Sequence, residues 1–156
     1  MMASIEILRA TSRKPPLPVR TTGPGEDAPT DLGVLKVLIV EDESVIAWAL
    51  QSLLEDLGHE VVAVASSGEA AVAAAAKHHP QLVMMDINLG RGPDGIEAAQ
   101  RILSNGSAHV IFVSAYADEG TRARIAERVP GAPLVAKPVS ARSIQSALAT
   151  AFARQH

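Results

Sequence analysis

The sequence has no cysteine and few aromatic residues: one Trp, one Tyr and two Phe in 156 residues. Disulfides, thiolate metal sites and cysteine nucleophiles are therefore excluded. With 47% hydrophobic but only 3% aromatic residues, the core must be built from Val, Ile, Leu and Ala. Basic charge is scarce as well. Lys and Arg number 14 against 17 Asp and Glu, and the formal charge is -3. Nothing in that balance favours binding along a nucleic-acid backbone. No apolar run approaches the ~18 residues that a membrane helix needs. The opening stretch "MMASIEILRATSRK" has no basic start followed by a sustained apolar run, so it does not read as a secretory signal. The expectation is a soluble, cytoplasmic protein with neither nucleic acid nor membrane as a partner.

What is present divides in two. Residues 1–33 carry "RKPPLPVRTTGPGEDAPTDLG", rich in Pro, Gly and Thr with little apolar periodicity, and read as a flexible N-terminal extension. From residue 34 to 156 the pattern is regular, and the length suits one domain. "LKVLIV" (35–40), "EVVAVA" (60–65), "QLVMMD" (81–86), "HVIFVS" (109–114) and "APLVAK" (132–137) are short apolar runs, as in strands covered on both faces. Between them lie helical stretches. The first has Val45, Ile46, Ala49, Leu50, Leu53, Leu54 and Leu57 at helical spacing. Ser66 with Glu69, Asp94 with Glu97, Asp118 and Ser140 are the expected N-caps of the other four. Five strands alternating with five helices imply an α/β, doubly wound parallel sheet with right-handed crossovers.

Ligands of such sheets sit beyond the carboxyl ends of the strands, where the strand order reverses. The residues there are Glu41 and Asp42, Asp86, Ser114 and Lys137. Three carboxylates in one place repel: each pair at ~4 Å costs roughly 4 kcal/mol at an effective dielectric of about 20. A cation would relieve this. Hard oxygen ligands without Cys or a nearby His suggest Mg²⁺. A carboxylate, a divalent cation, a hydroxyl and an amine together suit phosphoryl transfer, which spreads charge over three oxygens. Asp86 would be the nucleophile, and Lys137 and Ser114 would hold phosphoryl oxygens.

At these residues a resemblance becomes specific. "VLIVEDE", "LVMMDINLG" followed by "DG", "VIFVSAYAD" and "VAKP" resemble, in order, the four signature stretches of the response-regulator receiver domain, the CheY-like superfamily of two-component signalling. The resemblance covers about residues 35–155. It implies a flavodoxin-like (βα)5 fold with sheet order 2-1-3-4-5. It implies that Asp86 takes its phosphoryl group from phosphohistidine on a sensor histidine kinase or a histidine phosphotransfer protein. The signal then passes to a downstream protein by contact. It further implies that Asp42 and Asp86 bind Mg²⁺ directly, Glu41 through water and Asn88 through its backbone carbonyl. The peptide bond before Pro138 would be cis, aiming Lys137 inward.

Four features depart from the pattern or stand beside it. The family's switch uses an aromatic residue three positions before the lysine, and here that position is Leu134. Tyr116, two residues after Ser114, is either an alternative moving part or an exposed loop aromatic. The loop after Asp86 has Gly90 where proline is frequent and is one residue longer before Asp94-Gly95. Its glycines either make it mobile or meet turn requirements. Trp48 falls opposite the apolar stripe of the first helix. It is expected to be partly exposed, and in the family that helix contributes to kinase docking.

The chain is thus read as a non-enzymatic receiver without a further output domain. Two other readings compete. One is a receiver-shaped binding module that works without phosphorylation. The other is an Asp-nucleophile phosphatase, which would want an Asp-x-Asp pair on its first strand, whereas Asp86-x-Asn88 lies on the third and lacks the second acid.

Overall fold

Period-two alternation along each strand sends neighbouring side chains to opposite faces, so a strand buried on both sides must be apolar throughout. The central strands follow this rule up to their carboxyl ends in a computed structural model that describes residues 32–153. Among them are five strands: β1 (Lys36–Val40), β2 (Glu60–Ala65), β3 (Leu82–Asp86), β4 (His109–Ser114) and β5 (Leu134–Ala136). Five helices alternate with them: α1 (Ser44–Asp56), α2 (Gly68–His78), α3 (Gly95–Ser104), α4 (Glu119–Arg128) and α5 (Ala141–Phe152). The strands are parallel and lie in the order β2-β1-β3-β4-β5, as expected for a doubly wound sheet. The expected extension falls outside the described residues except for Leu32 and Gly33, and Leu32 packs on the core.

Two apolar layers flank the sheet. On one face Leu38, Val40, Val83, Met85, Val110 and Phe112 meet α2, α3 and α4 through Ala71, Ile96, Ile102 and Ile125. On the other, Val37, Ile39, Leu82, Met84, Ile111 and Val113 meet α1 and α5 through Leu50, Leu54, Ile144 and Leu148. All five residues of β3 are buried, Asp86 included.

Three details differ from the sequence reading. The strand expected over 132–137 forms ladder pairs only at Leu134–Ala136. Pro133 and Pro138 bracket it and have no N–H to give to a neighbour. The buried stripe of α1 is Ala47, Leu50 and Leu54, whereas Val45 is 78% exposed. A stripe starting at Ala47 runs i, i+3, i+7, and that puts Val45 and Trp48 together on the outer side. The cap of α2 is Ser67, not Ser66. Its hydroxyl accepts from Ala70 N at 3.1 Å, because the turn after β2 takes one residue more than expected. Asp94, Asp118 and Ser140 cap α3, α4 and α5 as expected.

Gly95 locks the start of α3 against the end of β3. Its N–H donates to Ile87 O at 2.8 Å. A Cβ there would press on the Asp86 carbonyl and come within 2.8 Å of Ile87 Cα. Gly95→Ala should therefore cost roughly 2–3 kcal/mol, typical of forced overpacking, read as a lower urea midpoint. An unchanged midpoint would show that α3 can slide away from Asp86 without penalty.

Candidate functional site

The sheet register builds the site. Val40 pairs with Met85, so the next residue of each chain, Glu41 and Asp86, emerge side by side. Asp86 pairs with Val113, and Ser114 with Ala136, so Ser114 and Lys137 follow along the same edge. The Lys137-Pro138 peptide is cis, as the resemblance implies. Lys137 Nζ lies 3.1 Å from Glu41 Oε1 and 3.5 Å from Asp86 Oδ2. Carboxylate oxygens of Glu41, Asp42 and Asp86 all lie within 4.8 Å of one another. Glu41 and Asp86 are buried, at 2% and 3% exposure, while Asp42 is exposed.

Burial dominates the electrostatics. It raises the Glu41 pKa to about 7, against the pull of the Lys137 ammonium and with a further push from Asp86. Burial raises Asp86 as well, with Lys137 opposing it. For Lys137, burial works against the charged form, but contact with Glu41 and the charges of Asp86 and Glu41 outweigh it and raise the pKa. Glu41 Oε1 is buried, and although the ammonium is close, it completes no aligned hydrogen bond. The contact is ionic, and a lone pair is left to spare. Three hard oxygen donors around such an atom fit a cation such as Mg²⁺.

The loop after Asp86 is organised around its carboxylate. Asn88 N donates to Asp86 Oδ1 at 3.2 Å. Ile87 and Leu89 are buried, and Pro93 packs on Gly68 of α2. Gly90 and Gly92 have φ of 82° and 77°, so they meet the turn requirement directly.

Ser114 sits at the edge but is occupied. Its Oγ accepts from Tyr116 N at 2.9 Å and lies 3.3 Å from Tyr116 O, to which it donates. Tyr116 itself is 66% exposed. Leu134 packs into the layer with Phe112 and Val110. Trp48, 69% exposed, lines a cleft of about 240 Å³ with Glu41, Asp42, Gln51, Val64 and Ser66. Sequence reading missed the partner of Asp94. Its Oδ1 caps α3 through Glu97 N, and its Oδ2 lies 2.6 Å from Arg124 of α4. No local pattern marks a pair 30 residues apart.

A family model described as the response regulator receiver domain matches residues 37–149. The chain belongs to this family. The phyllosphere-induced regulator PhyR of Methylorubrum extorquens is 34% identical over 129 residues, which cover 82% of this receiver chain and 47% of PhyR. The transcriptional regulatory protein PdtaR of Mycobacterium tuberculosis is 37% identical over 134 residues, covering 85% of this chain and 63% of PdtaR. The chain thus spans only part of either relative. Among solved structures, the solution structure of the PhyR receiver domain of Erythrobacter litoralis has a TM-score of 0.68 at 34% identity. It covers 80% of this chain and 95% of that one. A chain of the CheX–CheY–BeF3–Mg²⁺ complex of Borrelia burgdorferi has a TM-score of 0.69 at 26% identity, covering 78% and 92%. Protein-glutamate methylesterases also match, as in Natronomonas pharaonis, but over 24% of that protein's length. Among the described residues no helix of the receiver is long and apolar enough to cross a membrane.

An acid whose pKa rises on folding keeps its proton longer in the native state than in the unfolded one. That stabilises the native state fully below the unfolded pKa of 4.5, and the benefit is lost as pH rises through about 7. Without divalent cations, thermal or urea stability should fall between about pH 5 and pH 8, by on the order of 3 kcal/mol for Glu41. Glu41→Gln should flatten much of that slope. An equal slope in the variant would place the titrating group elsewhere.

Proposed function

We propose that Asp86 accepts one phosphoryl group from a phosphohistidine, that Mg²⁺ assists, and that the receiver passes the signal on by protein contact. The observation that carries this reading is the meeting of buried Glu41 and Asp86 on one ammonium, Lys137, at the switch point of the sheet. With Asp42, three carboxylates face one ammonium, an excess of two negative charges when all are ionised. A hard divalent cation matches that excess. In this reading Asp42 and Asp86 would hold Mg²⁺ directly, Glu41 through water and Asn88 through its backbone carbonyl. The ion supplies positive charge against the acceptor carboxylate and the phosphoryl oxygens.

A carboxylate oxygen of Asp86 attacks the phosphorus as the P–N bond of the phosphohistidine breaks. The bond's electron pair leaves with the imidazole nitrogen, which takes a proton from solvent. Lys137, already 3.5 Å from Oδ2, neutralises charge on the transferred group. Ser114 donates to a phosphoryl oxygen once it gives up Tyr116 O. That exchange releases Tyr116 O, leaves the Tyr116 N–H bond to Ser114 Oγ, and makes Tyr116 the moving part where Leu134 offers no aromatic. Trp48 and Val64, exposed beside the acid pair, form the surface that receives the phosphodonor protein. The donor is a sensor histidine kinase or a histidine phosphotransfer protein, and the reaction is cytoplasmic. The receiver takes and passes on one group and is not a turnover enzyme.

Acetyl phosphate with Mg²⁺ should add one acid-stable, base-labile phosphoryl group, and Asp86→Asn should take up none. Lys137→Ala should slow uptake by about a hundredfold, as for loss of one preorganised charge partner. Labelling of Asp86→Asn, or no labelling of the native protein, would contradict the proposal. Mg²⁺ should also change the emission of Trp48, the only tryptophan in the chain, and Asp42→Asn should weaken that response. An identical Mg²⁺ titration in the variant would remove Asp42 from the metal site.

A further inference from the structure

Helix α4 is the most weakly anchored helix on its face of the sheet. Of its ten residues only Ile125 is buried, with Val129 buried just past its end. The rest of its hold on the domain is polar, and it points back at the phosphoacceptor loop. Arg124 Nη2 meets Asp94 Oδ2 at 2.6 Å. One turn later, Arg128 and Gln100 of α3 exchange two longer contacts, of 3.4 and 3.5 Å. Asp94 is a junction. Its other oxygen caps α3, and Gly95 beside it is pressed against the Asp86 carbonyl. At the far end of the same loop, Asn88 N holds Asp86 Oδ1. A change in charge or ligation at Oδ1 would act on that bond, at one end of a segment whose other end grips α4. An element with one buried anchor responds to the loss or shift of a single polar tie.

We propose that Arg124 is a positioning residue that couples the Asp86 loop to α4, so that the state of Asp86 is read at α4 through the Asp94–Arg124 ion pair. This rests on the phosphoacceptor reading above and supplies a route that needs no aromatic at position 134. Both side chains are partly exposed, at 47% and 38%, so the tie is weak in itself and salt-sensitive. A weak tie suits a switch, because it can be broken by a modest change at the site.

The test is amide hydrogen exchange of Glu119–Arg128 in the full chain, with Mg²⁺ and with or without beryllofluoride. Trp48 emission reports, in the same samples, that both probes have bound. In the native protein beryllofluoride should change α4 exchange by about threefold, the scale of a partly exposed ion pair. Arg124→Gln and Asp94→Asn should abolish that response, although asparagine still caps a helix. Arg124→Lys should restore most of it. An α4 response in Arg124→Gln equal to that of the native protein, with the probes bound in both, overturns the coupling and leaves Asp86 as acceptor. A native protein that binds the probes without any α4 response does the same. Failure of the native protein to bind beryllofluoride overturns the phosphoacceptor reading, and the coupling falls with it.

Discussion

One ammonium holds two buried carboxylates at the carboxyl edge of the sheet. Glu41 and Asp86 would repel each other in a low-dielectric site, and Lys137 sits within 3.5 Å of both. The cost of burial is not fully offset, and that is why Glu41 is pushed up to about 7. Breaking a buried pair by removing one partner typically costs about 3–5 kcal/mol. The edge is therefore stable enough to persist yet still short of positive charge. In the proposed function, that shortfall is what a divalent cation would meet.

The rest of the fold serves that edge. Parallel register delivers Glu41, Asp86, Ser114 and Lys137 as the residues at or just past the ends of four strands. Two apolar layers, with β3 buried along its whole length, make the strand a rigid post for Asp86. Gly95 fits where a side chain would strike the Asp86 backbone, so α3 starts almost in contact with Asp86. The loop between them is braced by Leu89 in the core and Pro93 on α2. A site built on such supports holds its donors in place before anything binds, and preorganisation is where electrostatic catalysis gets most of its strength.

Most of this was legible in the sequence, for a physical reason. Strands such as "LVMMD" must be apolar on both faces, and an acid at the end of one is conspicuous. Four such ends in order specify an edge. What could not be read depended on rotation or on distance along the chain. Val45 is apolar at helical spacing, yet only packing shows that the buried stripe runs through Ala47 and turns Val45 outward. Ser66 and Ser67 are equally good caps on paper, and the length of one turn chooses between them. Ser114 ends its strand as the apolar run implies, but its bond to the Tyr116 backbone is a matter of local dihedral angles. Asp94–Arg124 joins the N-cap of α3 to the middle of α4, and no periodicity relates the two.

The most direct measurement is a ¹³C NMR titration of the side-chain carboxyl groups, with and without Mg²⁺. In the absence of the ion, Glu41 should titrate near pH 7, far above the ordinary 4.5. Adding Mg²⁺ should drive that titration to lower pH as the excess negative charge is met. A Glu41 carboxyl that titrates in the ordinary range, and ignores the ion, would contradict the account of a charge-deficient edge.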